Sequence, residues 1–174
     1  MPIRAPLLPH PDFPPCAVEA IEVVADIRSG ASVLTYSLTG KAPRIPAPAA
    51  PERTDELWKH TCFELFVKPE GGGSYFEFNF APSSQWAAYR FDGYREGMGD
   101  QPLAAPWIEP VEGGVRVAVD LGALPESAWR VAITAVIEEA DGTKSYWSAA
   151  HPAGKPDFHD PACFVFELPA PSGA

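Results

Sequence analysis

Positive charge is in short supply in this sequence. Its 174 residues carry 13 Lys and Arg against 23 Asp and Glu, a formal net charge of −10. A protein that grips a phosphate backbone needs clustered cations, so nucleic acid is excluded as a partner. Long apolar runs are missing too: no stretch approaches the ~20 residues of a membrane-spanning helix, so no membrane association is expected. The opening MPIRAPLLPHPDFPP has one Arg and no apolar segment of the kind a secretion leader carries, so a cytoplasmic location is expected. Cysteine is scarce. Cys16, Cys62 and Cys163 cannot all pair within one chain and no CxxC occurs, so reduced thiols are the simpler reading. A calcium loop of the DxDxDG type is absent as well. Helical periodicity is nearly absent, and residues 121–128 leave room for one turn at most.

Proline, in contrast, is abundant. Of its 21 copies, six fall in the first 15 residues and four within residues 42–51 (APRIPAPAAP). Such clusters form extended connectors and mark the ends of elements, because Pro has no N–H for a helix interior or a central strand. Residues 1–17 therefore read as a Pro-rich N-terminal arm, 18–169 as a single domain and 170–174 as a flexible tail. Between the clusters the hydrophobic period is two. Strands are expected over 20–28, 31–38, 57–68, 74–80, 85–91, 115–121, 129–138, 144–147 and 163–168. Turn signals such as Ser29-Gly30, Gly113-Gly114 and Asp141-Gly142 separate them. The spacing predicts an all-β fold, an antiparallel β-sandwich of about nine to eleven strands with little helix, jelly-roll or immunoglobulin-like.

Alternation then sorts the faces. Phe63, Leu65 and Val67, Phe76, Phe78 and Phe80, Val115 to Leu121 at every second position, and Val131, Ile133, Ala135 and Ile137 form apolar rows. Phe164, Phe166 and Leu168 add another, and together these rows are the expected core between the sheets. The opposite face is unusual. On two neighbouring strands it carries Trp58, His60, Glu64, Tyr75, Glu77 and Asn79, and the next strand adds either Trp86 and Arg90 or Gln85 and Tyr89. Flat rings suit the C–H faces of a sugar, while carboxylates, amide, imidazole and guanidinium make directional bonds to hydroxyls. The loop AAHPAGKPDFHD brings His151, Lys155, Asp157 and His159 onto a Pro-stiffened segment suited to form a rim.

The segments ELWKHTCFELFV, YFEFNFAPSSQWAAYRFDGYREGM and GKPDFHDP resemble those of the bacterial DOMON-like domains, relatives of family 9 carbohydrate-binding modules. The likeness is close over residues 57–98 and looser in the last strands. It implies a sandwich of about ten strands and a ligand that is a sugar or haem. The acidic–aliphatic–Phe element is Glu64-Leu65-Phe66 here, followed by an Asn-bearing strand at Asn79, and Trp58 and Trp86 would supply an aromatic pair.

The reading that follows is a non-catalytic binding domain for a small polar ligand, a saccharide in first place. Its site is Trp58, His60, Glu64, Glu77, Asn79, Trp86 and Arg90, with His151, Lys155, Asp157 and His159 at the rim and Arg90 orienting Glu77. No cofactor or metal ligand is expected, and no protein partner is identified. Three alternatives stay open. Haem would use Met98 with His60, His151 or His159, and a zinc site would use His60 and Cys62 with a loop histidine. A carbohydrate-active hydrolase would use Glu64 and Glu77 as its carboxylate pair, helped by His159.

Overall fold

The structure, a computed structural model, describes residues 1–171. Its strands are β1 (Ile3–Pro9), β2 (Val18–Asp26), β3 (Ala31–Gly40), β4 (Cys62–Pro69), β5 (Tyr75–Phe80), β6 (Trp86–Phe91), β7 (Gly99–Asp100), β8 (Trp107–Val111), β9 (Gly114–Asp120), β10 (Trp129–Glu138), β11 (Lys144–Ser148) and β12 (Phe166–Leu168). Their pairings are antiparallel, and two single 3-10 turns, Leu57–Lys59 and Pro161–Cys163, are the helical content of the described residues. The expected all-β sandwich is therefore the fold, with twelve strands along a curled sheet.

One half of the sandwich runs β1-β2-β3-β9-β8, and the other β7-β6-β5-β4-β10-β11-β1. Strand β1 belongs to both: Ile3 to Leu7 pair with β2, then Leu8 and Pro9 pair with β11. The N-terminal arm expected outside the domain is thus, over Ile3–Pro9, the strand that joins the two halves. Its prolines are tolerated because each stretch of β1 completes a ladder with one neighbour at a time. The segment that follows is fixed by Glu139, whose carboxylate accepts the backbone N–H groups of Cys16, Ala17 and Val18 at 2.9–3.1 Å. Of the tail expected over 170–174, residues 172–174 lie outside the described residues.

Between the halves lies the core that alternation predicts. Phe63, Leu65, Val67, Phe76, Phe78, Phe80, the valines of β9 and the row Val131 to Ile137 are all buried in it. Burying each large side chain contributes on the order of 1.5–3 kcal/mol. Phe164 departs from this core. The 3-10 turn before it rotates it to the other side of the second half, while Phe166 and Leu168 stay at the core's margin.

That other side is not a solvated face. Phe66, Tyr75, Tyr89 and Phe91 form a second apolar cluster with Leu57, Phe158, Cys163 and Phe164, which come from segments laid over the sheet. Strand β5 is consequently buried at every position, whereas β2 and β9 alternate between buried and open. The polar residues on the covered face of β4 and β5 are therefore interior groups, and the site is built on them.

Candidate functional site

A pocket of about 420 Å³ opens between the covered face and its roof. Its floor is Glu64 and Phe66 of β4, Glu77 of β5, Phe91 at the end of β6, Val136 of β10 and Tyr146 of β11. Trp58, Arg95, Met98, Pro156, Phe158 and His159 form the walls and rim, each on a connecting segment. Scaffold strands thus supply the acidic floor, and loops supply aromatic rings and the one guanidinium.

Glu64 sits opposite Asn79 on one side and Thr134 on the other, and it is 2% exposed. Thr134 Oγ1 donates to its Oε2 at 3.1 Å. Burial, and then the neighbouring Glu77, push the Glu64 carboxyl well above the usual carboxylate range, with the Thr134 bond only partly opposing them. Asn79 Nδ2 donates to Glu77 Oε1 at 3.0 Å. Burial pushes the Glu77 carboxyl up to about 7, against that hydrogen bond and the nearby Arg95 charge.

His159 lies 3.6 Å from Glu77 Oε2 through Nε2, and its Nδ1 is 2.7 Å from the Tyr75 hydroxyl. That hydroxyl also accepts the Arg95 backbone N–H at 3.1 Å. Burial, aided by the Arg95 charge, pulls His159 down to about 4, so near neutral pH the Glu77–His159 contact is not an ion pair. Asp157 anchors the rim: it accepts from Arg95 Nη2 at 2.7 Å, from the His159 backbone N–H at 3.1 Å and from the Tyr94 hydroxyl. Among the described residues, two of the three non-glycine residues with positive φ border this site, Glu56 at 61° just before the Trp58 turn and Arg95 itself at 55°. Left-handed backbone at such residues costs of the order of 1–3 kcal/mol each and concentrates where loops serve ligands.

Of the residues singled out from the sequence, Trp58, Glu64, Glu77 and His159 line the pocket, while Asn79 and Asp157 hold three of its liners, Glu77, Arg95 and His159, in place. The others are elsewhere. Trp86 and Arg90 are on the opposite side of β6, since Trp86 pairs with Phe80 and Arg90 with Phe76. Trp86 is buried in the main core beneath the Arg53 guanidinium, 4.7 Å from its ring centre. Arg90 is exposed, 3.7 Å from Asp92, and so does not orient Glu77. Tyr89 takes the place on the pocket side, opposite Glu77, and donates to Asp55 at 2.7 Å.

His60 falls in the turn before β4 and not on its face. Its Nδ1 meets Glu138 Oε2 at 2.7 Å, and Arg44 binds the other oxygen. Cys62 is buried beneath the roof, so the suggested His60–Cys62 metal pair is not assembled. His151 donates to the Leu8 carbonyl at 2.7 Å beside His10, and Lys155 is exposed; neither lines the pocket. One group of possible ligands among the described residues, Cys16, Glu139 and Asp141, is elsewhere, and its central carboxylate is already filled by three amides.

Arg95 and Tyr146 were not foreseen. The cue for Arg95 was the Gly-rich loop REGMGD straight after a strand of the polar face; Tyr146 had none, because the polar five-residue strand Lys144–Ser148 carries no apolar row that assigns its faces.

No family model matches the sequence, and no curated protein matches it. Among solved structures, the chain is similar to a Bacteroides uniformis protein described as "putative carbohydrate-binding". The two are 19% identical and superpose with a TM-score of 0.67 over 93% of this chain and 84% of that one. At that identity the likeness is one of fold.

Proposed function

We propose that this chain is a non-catalytic binding domain for a small polar ligand, in first place a saccharide, taken into the pocket above β4 and β5. The observation that carries the reading is the pairing of two buried carboxyl groups with Phe91 on the floor and aromatic walls at Trp58 and Phe158. Raised carboxyls that hold a proton both donate and accept, which suits hydroxyl groups, and the rings cover C–H surface. The DOMON-like resemblance over residues 57–98 and the description of the Bacteroides uniformis neighbour point the same way.

Trp58 is the residue for the test, because it is 37% exposed on the rim and stands in a T-shaped arrangement with Tyr89, 6.3 Å between ring centres. A ligand at a hundred times its Kd stabilises the native state by about 2.7 kcal/mol, which a thermal-shift screen of mono- and oligosaccharides detects. The expected result is a midpoint rise with the native chain and none with Trp58→Ala, whose ligand-free midpoint stays within about 3 °C. Unchanged binding by that variant would remove the pocket from the argument.

A second reading has one specific observation in its favour. A carboxyl at about 7 beside another carboxyl is equipment for acid catalysis of glycoside cleavage. It predicts turnover of a glycoside that disappears in both Glu64→Gln and Glu77→Gln. The binding reading predicts no turnover at all.

A further inference from the structure

The charges around the pocket do not balance, and the imbalance has one sign. Arg95 is paired with Asp157 at 2.7 Å, and its charge reaches Glu77 only from a distance. Among the described residues no Lys or Arg forms an ion pair with Glu64 or Glu77, and His159 stands 3.6 Å from Glu77. Glu64 Oε2 accepts from Thr134 and Glu77 Oε1 from Asn79, Glu77 Oε2 stands 3.6 Å from His159, and both carboxyls line the pocket. Beside them the Oδ1 of the wholly buried Asn79 has no donor. Phe66, Phe91 and Tyr146 line the floor around them, and Trp58 and Phe158 line the walls.

Two acceptor groups without a cation, under aromatic walls, form the complement of an organic ammonium. Such a group brings three N–H donors and a positive charge that ring faces attract. Resting on the binding function proposed above, we infer that the ligand carries a protonated amine, an amino sugar or similar compound, seated between Glu64 and Glu77. No bond is made or broken. The ammonium takes the place of the proton that the raised Glu64 carboxyl carries, and that proton passes to solvent.

Matched ligand pairs that differ in the amine test this, by titration calorimetry on the full chain at pH 7.5. Glucosamine is compared with glucose and N-acetylglucosamine, and cyclohexylamine with cyclohexanol. The expected result is that the amine binds at least tenfold more tightly than its neutral counterpart in at least one pair. Its binding enthalpy should also change with the ionisation enthalpy of the buffer, as proton release requires. The preference should fall to less than threefold in Glu64→Gln and Glu77→Gln, near-isosteric changes whose folding is checked by circular dichroism. Should either variant fail to fold, Thr134→Val, which disturbs the Glu64 carboxylate alone, should weaken the amine and leave any neutral sugar unaffected.

Equal or tighter binding of glucose or N-acetylglucosamine overturns the amine and leaves the saccharide reading intact. Selective binding of cyclohexylamine, with all sugars silent, upholds the amine and removes the saccharide. Silence of every probe overturns the amine, and a silent wider saccharide screen then removes the binding function as well. A preference that survives in both Gln variants also overturns the inference.

Discussion

Glu77 and His159 face each other across 3.6 Å, and burial moves them in opposite directions. Glu77 rises to about 7 from an ordinary 4.5, and His159 falls to about 4 from 6.5. For Glu77 the folded chain holds a proton that the unfolded chain has lost between pH 4.5 and 7, so its contribution to stability is full below that window and is lost as pH rises through it. For His159 the unfolded chain takes a proton that the folded one refuses, so stability is lost as pH falls from 6.5 to 4. Each effect is worth on the order of 3 kcal/mol, and where the windows overlap they offset one another. Glu64, raised well above its ordinary range, adds a loss in the same direction as Glu77, so the native chain should lose stability as pH rises from 5 to 6. Glu77→Gln removes one partner of the pair. Its thermal midpoint should exceed that of the native chain by a margin that grows from pH 5 to pH 8 and vanishes at lower pH. A constant margin would mean that the Glu77 carboxyl titrates in its ordinary range.

Elements are secured at their ends by single residues of this chain. Glu139, just past β10, receives the three amides that lead into β2, and so fixes the path between the strand common to both halves and the rest of the first half. Glu139→Ala should cost about 2 kcal/mol or more, because hydrogen bonds to a charged acceptor are lost and the Val18 N–H is left buried. Ligand affinity should be unaffected, since the pocket lies elsewhere, and denaturant unfolding together with the saccharide screen reads both. Alternation within β4, β5 and β9 was legible from the residues, and so were the core rows they carry. The start of β4 was not. Apolar–polar alternation continues back through Trp58 and His60, yet Glu56 adopts φ 61° and starts a 3-10 turn, with His60 N–H bonding to the Leu57 carbonyl. Strand β1 was hidden for another reason: its prolines suggest a free connector, and only pairing with both halves makes it a strand. Strands β7 and β8 are short edges whose exposed residues carry little of the period-two signal.

At the scale of the molecule, the second half of the sandwich is buried on both sides, and Phe78 lies wholly within the main core at its centre. Phe78→Ala should cost roughly 3–5 kcal/mol, seen as a fall in the denaturant midpoint with the slope unchanged. A loss below about 1 kcal/mol would mean the halves repack around the gap. The amino-acid order alone determined the all-β class, the apolar rows and the presence of carboxyl and aromatic groups on one face of β4 and β5, because period two is a property of the local backbone. It also pointed to Trp58, Glu64, Glu77 and His159, whose types suit a polar ligand. Only the tertiary structure decided the face of β6, since Phe80 pairs with Trp86 across a loop whose geometry includes Ser84 at φ 86°, and this sends Tyr89 to the pocket and Arg90 away from it. A one-residue change of register reverses every side chain of a strand, and no local pattern fixes that register. Tertiary structure likewise decided that the polar face is roofed. Loops distant in sequence bring Arg95, Phe158 and His159 over it, and the exclusion of water by that roof is what lifts the two carboxyls out of their ordinary range.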